Sequence, residues 1–461
     1  MGRRVTGSVL LLATALAIGP ILPAVSLTPG DFSSPKISAD LSKDTDTAGN
    51  PAKNTRYGFE LAADGENLAM VWGDYRLDDQ YGARNNEVYI RTSGNSGQTW
   101  GPVINLSAQP KSDWEPGVAM SGDAAIVAFG GDTDRCNGCP EVLNIIRYSN
   151  GQAERVFKSE EFTFAVENYV YASGDNVFVT SGESEIHHTT SRDGGKTWSP
   201  LRVWSPSGKN DFNERSNSRA FFDGSTLYHV ARAKVEGSLS QPDIVLRTSS
   251  DFGLSWNADV RISNTAQEDF TPVVYGTSSE IFVAYGVRLS ERRFDVVVHS
   301  SKDSGKTWSA PQKVTSLEDN FYGLRGPVLD MKTLANGKHM GLLASKEIVF
   351  SSDGKTLESR SPISRNLNEF EGLTVGSTAA FLVKNGVVYS SRPAGSEVAS
   401  PKPKRYGNCS AMYKDFPSGV AQSAASRNKG TKIRLKPVVN AAVFKLNSTL
   451  DRDRDGLLCE K

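Results

Sequence analysis

Cysteine and histidine are scarce, with four and five copies in 461 residues. Nowhere do they cluster at the spacing of a zinc or iron–sulfur centre. His187 and His188 are adjacent, and strand alternation sends neighbours to opposite faces, so they do not chelate together. Excess charge of either sign is also missing: 52 basic residues balance 52 acidic ones, which gives no overall attraction for a polyanion such as nucleic acid. A glycine-rich phosphate-binding fingerprint is absent. The apolar stretch Val9 to Ile18 is too short for a membrane span. It follows Arg3 and Arg4 and precedes a Gly19-Pro20 break and the small residues Ala24-Val25-Ser26, the order of a secretory signal peptide over residues 1–26.

An exported chain with four cysteines favours disulfides over thiol chemistry. The natural pairing is local for Cys136 and Cys139 and long-range for Cys409 and Cys459. A redox or half-zinc role for the C-x-x-C pair is the alternative, but the loop "GGDTDRCNGCPE" supplies neither a second pair nor a βαβ context.

What the chain does contain is a repeat. "SGNSGQTW" begins at Ser93, "SRDGGKTW" at Ser191, "SSDFGLSW" at Ser249, "SKDSGKTW" at Ser301 and the shorter "SSDGKTL" at Ser351. Each follows a β-rich run such as "EVYIRT" or "DIVLRT" and precedes another, so each octet joins two antiparallel strands. Its acidic or amide residue (Asn95, Asp193, Asp251, Asp303, Asp353) suits capping of the turn, its glycine suits a positive φ, and its tryptophan suits a gap between hairpins. The pattern resembles the Asp box of sialidase-type β-propellers. That box also occurs in sortilin-type receptors, xyloglucan-cleaving glucanases and photosystem assembly factors, so it implies a fold and not a reaction.

The expected class is therefore an all-β propeller over residues 33–392. The box spacing predicts four-stranded blades, and the doubled first gap predicts a blade without a box over Trp114 to Val156. The last blade lacks a strand, which "PKISADLS" from Pro35 supplies. That gives seven blades, or six if the weakest unit is not one. Antiparallel order puts all boxes on one face. The opposite face receives the start of every inner strand and four long loops: "GDYRLDDQYGARNN", "GGDTDRCNGCPE", "ARAKVEGSLSQPD" and "YGVRLSERRFD". Ligands belong on that second face.

A sialidase-type site would use arginines for the sugar carboxylate, a tyrosine nucleophile with a glutamate, and an aspartic acid. By position the resemblance offers Arg56, Asp78, Glu214, Arg219 and Arg325 as catalytic candidates. Tyr57, Trp114, Glu115, Tyr169 and Tyr322 are ligand-binding candidates. The family's Arg-Ile-Pro motif is absent, its place taken by "TRYGFELA", and solvated rim charge is the plainer reading of the arginines. Tyr389 comes late enough to be a nucleophile but lies inside a strand, where packing explains it. Two functions follow: an exported protein that binds a glycan or protein ligand, or an exo-α-sialidase-type glycoside hydrolase.

Residues 393–405 have linker composition, and the last domain spans 406–461. From Pro401 onward about 13 basic residues face about 5 acidic ones, which suits an anionic cell-wall polymer. The end, "LDRDRDGLLCEK", alternates Asp451, Asp453 and Asp455 before Gly456. That spacing aims three carboxylates at one centre, Leu457 can add a carbonyl, and hard oxygen ligands imply calcium. The D-x-D-x-D-G-x-x-C-E arrangement resembles the Excalibur extracellular calcium-binding domain and implies Glu460 as a further ligand.

Overall fold

The computed structural model describes Leu27, then residues 36–391 apart from 41–43, 53–55, 78–84, 109–111, 133–140, 161–166, 183–184, 206–217, 234–241, 291, 319–327, 335–336, 344–346, 363–371, 376–378 and 385–386. It also describes residues 404–459 apart from 414, 417–418 and 424–437.

Seven four-stranded antiparallel sheets form a propeller. Blade one comprises Arg56–Asp64, Asn67–Asp74, Glu87–Ser93 and Ile104–Asn105; blade two Asp113–Ser121, Ala124–Asp132, Glu141–Ser149 and Gln152–Lys158; blade three Tyr169–Ser173, Asn176–Ser181, Ile186–Ser191 and Arg202–Trp204. Blade four comprises Arg219–Phe222, Leu227–Ala233, Asp243–Ser249 and Val260–Arg261; blade five Asp269–Gly276, Ile281–Ser290, Arg293–Ser301 and Gln312–Glu318; blade six Val328–Thr333, His339–Leu343, Glu347–Ser351 and Ser359–Pro362. Blade seven takes Gly372–Val375, Ala380–Lys384 and Val387–Ser391 from the end of the propeller and Lys36–Asp40 from its beginning. The first strands touch in turn around the ring, and that of blade seven touches that of blade one. The six-blade alternative is excluded, and the blade without a box is where the doubled gap places it.

The boxes share their cap and differ in where the tryptophan N–H goes. In the octet from Ser191, Asp193 Oδ1 accepts the Thr197 backbone N–H (2.9 Å) and the Ser191 hydroxyl (2.8 Å), and Oδ2 accepts the Thr197 hydroxyl (2.6 Å). Trp198 Nε1 donates to the Gly195 carbonyl at 3.1 Å. Asn95 makes the same backbone bond but donates its own amide to the Thr99 hydroxyl. The glycine does more than turn the chain. Gly195 has φ +80, and a Cβ there would meet Ile126 of blade two at 2.5 Å. Gly253, Gly305 and Gly354 press likewise on Phe178, Tyr228 and Phe282 of the preceding blades, and Gly97 presses on Phe381 of blade seven. Successive blades therefore dock through these turns, with glycine required at the contact.

The joint between blades three and four holds a buried cation. Arg247 is 4 % exposed, and its guanidinium carbon lies 4.2 Å from the centre of the Trp204 ring and 3.8 Å from that of Trp256. Trp256 Nε1 donates to His188 Nε2 (3.2 Å). Arg247 donates to His229 Nδ1 from Nε (3.3 Å) and Nη2 (3.1 Å). A guanidinium only donates, so His229 carries its proton on Nε2; His188 faces donors on both nitrogens, Trp256 at Nε2 and Arg247 Nη2 at Nδ1 (3.3 Å), and a neutral ring accepts only one of them. Burial, then the charge of Arg247, holds both imidazoles neutral, His188 down to about 3.

One expected loop is not a loop. "YGVRLSERRFD" continues blade five's second and third strands, with Val287 opposite Asp295 and Arg288 opposite Phe294. Phe294 is buried, and Glu268 binds Arg288 Nη1 at 2.7 Å. Apolar alternation outweighs the run of charge. Tyr389 lies in blade seven's third strand, packed beside buried Leu382 and Ile348.

The tail is a small separate core. Val420–Ala421 pairs with Val438–Val439 in parallel and with Leu457–Leu458 antiparallel. Met412, Phe416, Val443, Phe444 and Leu458 pack together, and Cys409 is bonded to Cys459. Among the described residues, no helix is long and apolar enough to cross a membrane.

Candidate functional site

The boxes follow the third strands, so the inner strands begin on the opposite face, as the sequence implies. Several of those beginnings are bulged. Register shifts occur between Tyr57 and Glu60, Trp114 and Gly117, Phe270 and Val273, and Val328 and Asp330. Gly58, Glu115 and Thr271, within the first three, have φ +62, +48 and +33. A bulge adds one residue to one strand and re-aims its side chains, here where the strands converge. "DWEP" from Asp113 and "DFTP" from Asp269 mark two of these bulges in the sequence, a signal that box-based reading passed over.

At the mouth, blades two, three and four meet. Glu115 Oε2 accepts the Glu167 backbone N–H at 2.6 Å, and Asn168 Nδ2 donates to the Glu115 carbonyl at 3.0 Å. The two inner strands nearly touch there: a Cβ on Gly117 would fall 2.2 Å from the Asn168 carbonyl oxygen. Glu167 also has a positive φ, +53. Two residues on, Tyr169 lies under the guanidinium of Arg219, whose carbon is 3.9 Å from the ring centre. Arg219 Nη1 donates to the Ser218 carbonyl (3.0 Å). Burial pushes the Tyr169 phenol up to about 12, although the charge of Arg219 opposes it. Burial raises Tyr171 on the same strand as well. Trp114 is half-buried, and its indole N–H has no hydrogen-bond partner among the described residues.

Of the sequence candidates, Arg219, Tyr169, Trp114 and Glu115 are thus placed, with Arg219 and Tyr169 in contact. Glu167, at the same inner-strand start as Tyr169, joins Glu115 directly. Arg56 and Tyr57 open blade one's inner strand, opposite Asp74 and Gly73. Asp78, Glu214, Tyr322 and Arg325 lie outside the described residues, as do Cys136, Cys139 and Glu460. The arrangement offers one guanidinium stacked on a phenol, a second phenol, an indole donor and two carboxylates. Phenols held neutral at physiological pH serve as donors and stacking faces, not as ready nucleophiles.

In the tail, ligand atoms of Asp451, Asp453 and Asp455 all lie within 4.8 Å of one another. Asp451 is fixed by N–H groups from Asp455 (3.2 Å) and Gly456 (3.1 Å), and Asp455 Oδ1 by that of Leu457 (2.9 Å). The turn needs left-handed backbone at Arg454 (φ +59) and Gly456 (φ +85). Gln422 N–H bonds to the Gly456 carbonyl (2.8 Å), and Leu457 is the next residue, opposite Ala421. Antiparallel alternation then turns the Leu457 N–H and carbonyl away from that neighbour, toward the side where its N–H meets Asp455. Three carboxylates and one free-facing carbonyl are a hard-oxygen donor set, which fits calcium.

A family profile described as "BNR repeat-like domain" matches residues 168–364. The chain carries a BNR-repeat propeller. Over 85 residues the chain is 36% identical to the uncharacterized protein YhjA of Bacillus subtilis (strain 168), spanning 18% of this chain and 96% of YhjA, and over that stretch the chain belongs to YhjA's family. Among solved structures, the BNR-repeat propeller is similar to YCF48 bound to a D1 peptide, with 11% identity, TM-score 0.46 and coverage of 82% of this chain and 99% of that one. It is also similar to the NanB sialidase of Streptococcus pneumoniae, with 11% identity, TM-score 0.41 and coverage of 78% and 70%.

Proposed function

We propose that this is an exported calcium-binding protein whose propeller mouth holds a glycan or protein ligand at the cell envelope. The observation that carries the reading is Arg219 stacked on Tyr169 beside Glu115 and Glu167, on the face remote from the boxes. Aromatic faces with a guanidinium and carboxylates at hand suit sugar rings and polar side chains alike, without supplying a reaction. Screening the purified protein against immobilised glycans and envelope extracts should find a ligand whose retention falls at least tenfold in Arg219→Ala. Undiminished retention in that variant would remove the mouth from the proposal.

The second reading, an exo-α-sialidase or related glycoside hydrolase, draws on Arg219, Tyr169 and Glu167 lying together. The neutral phenol weighs against it. Turnover of a fluorogenic sialoside that Arg219→Ala abolishes would establish this reading and displace binding alone.

In the tail, Asp451, Asp453, Asp455 and the Leu457 carbonyl are the proposed calcium ligands, with Glu460 completing the set by its place in the sequence. Extracellular sites of this class bind at about 0.1–1 mM. Calorimetric titration should show one site that Asp453→Asn removes; no heat from the parent chain would end the claim. The basic tail is the proposed contact with an anionic wall polymer. Deletion from Pro401 onward should therefore lower retention on isolated cell walls.

A further inference from the structure

The joint between blades four and five contains two carboxylates with no exposed surface, Asp243 at the start of blade four's third strand and Asp269 at the start of blade five's inner strand. They are not equivalent. Asp243 Oδ2 is paired with Arg261 Nη2. Among the described residues Asp269 has no cation bonded to its carboxylate: the nearby Arg232 gives Nε to the Asp269 backbone carbonyl (2.8 Å) and Nη2 to Glu268 (2.7 Å). The Thr265 hydroxyl reaches Asp269 Oδ1 at 3.3 Å, the Ser263 hydroxyl lies beside it, and Oδ2 has no hydrogen-bond partner among the described residues. The remaining groups facing the pocket are Tyr285, a neutral phenol raised by burial, and Glu268, whose second oxygen holds Arg288 at 2.7 Å. A buried carboxylate next to another, without a cation of its own, is best accommodated as the neutral acid.

We propose that Asp269 is a proton-sensitive joint, neutral in the closed form, whose ionisation loosens the connection that carries Glu268 between blades four and five. The connection involved is short: Ser263 and Thr265 approach the Asp269 carboxyl, while Glu268 clamps Arg232 of blade four to Arg288 of blade five. An anion at Asp269 repels Asp243 directly and strains both attachments. Burial, and then the charge of Asp243, raises the Asp269 carboxyl from 3.8 to about 7, with the hydroxyls and Arg232 opposing. A value raised in the folded state contributes stability that is complete below about pH 4 and is lost as pH rises to about 7. The chain would thus tighten this joint on moving into a mildly acidic setting.

The test compares the full chain with Asp269→Asn across that pH window. Relative to the variant, the unfolding constant of the parent should rise by up to about tenfold per pH unit and level off above pH 7. Hydrogen exchange at residues 264–268, referenced to the variant at each pH, should quicken over the same interval. Parallel stability curves for the two proteins would overturn the proposal. Should Asp269→Asn fail to fold, carboxyl titration of the parent by isotope-edited infrared spectroscopy decides. A protonated acid persisting to near neutrality supports the joint, and complete ionisation of every aspartate by about pH 5 refutes it.

Discussion

Replacing Arg247 separates charge from volume at the joint between blades three and four. Burial lowers its guanidinium from 12.5 to about 9, so the cation persists at neutral pH under a penalty of about 4–5 kcal/mol, at about 1.4 kcal/mol per pKa unit. Two desolvated indole faces, at about 2 kcal/mol each, and the bond to His229, at about 1–3 kcal/mol, act in the other direction. The terms nearly cancel, so the net worth of the charge is small. Arg247→Met, which keeps most of the volume, should therefore change stability by less than about 2 kcal/mol in either direction. Arg247→Ala leaves a hole lined by Trp204, Trp256, His188 and His229 and should cost about 2–5 kcal/mol. Urea unfolding of the whole chain, followed by tryptophan fluorescence, compares them, because Trp204 and Trp256 flank the substitution. If Met costs as much as Ala, the cation itself holds the joint and its terms do not cancel.

Further outcomes concern the boxes, the histidines and the tail. Asp251, whose box bonds outweigh its slight burial, is held down to about 2. That depressed value gives stability above about pH 3.8 that disappears as pH falls through about 2, so Asp251→Ala should destabilise by about 1 kcal/mol at neutral pH and by nothing at the acid end, measured by thermal shift. All five histidines are lowered, chiefly by burial. Values below 6.5 favour the neutral folded form, so stability should fall with pH below about 6.5; a His188→Asn variant should show a shallower fall, and an unchanged slope would count against a buried neutral imidazole. Cys409→Ala, which frees the proposed calcium loop from the helix Cys409–Met412, should weaken calcium binding at least tenfold while the propeller's melting stays in place. A shift of both transitions would show that the tail and propeller unfold together.

The propeller was legible because its turns repeat. Five box turns, each with a capping residue and a glycine, set the blade pitch, and a strand-like "PKISADLS" without a local partner pointed to closure by the opposite end. What the octets did not reveal was the role of their glycines as docking points on the preceding blade, since contacts such as Gly195 on Ile126 join residues far apart in the chain. "YGVRLSERRFD" was misread because its charges obscured the alternation of Val287 and Phe294. At the mouth, residue types at strand starts led to Arg219, Tyr169 and Glu167 but not to the bond between the Glu167 backbone and Glu115, which joins residues far apart in the chain. The convergence of Asp451, Asp453 and Asp455 was the most readable feature, because the three carboxylates lie within one short run.

Closing the ring with Lys36–Asp40 has a mechanical consequence. Val387–Ser391, the strand it holds, is also the one from which the chain leaves for the tail, with Lys36 opposite Ser390 and Asp40 opposite Val387. Any pull applied between the tail and the propeller therefore falls first on the seam of the ring. Because this strand is flanked on both sides by antiparallel partners, the load is shared by several hydrogen bonds sheared together, a geometry far more resistant than peeling them one at a time.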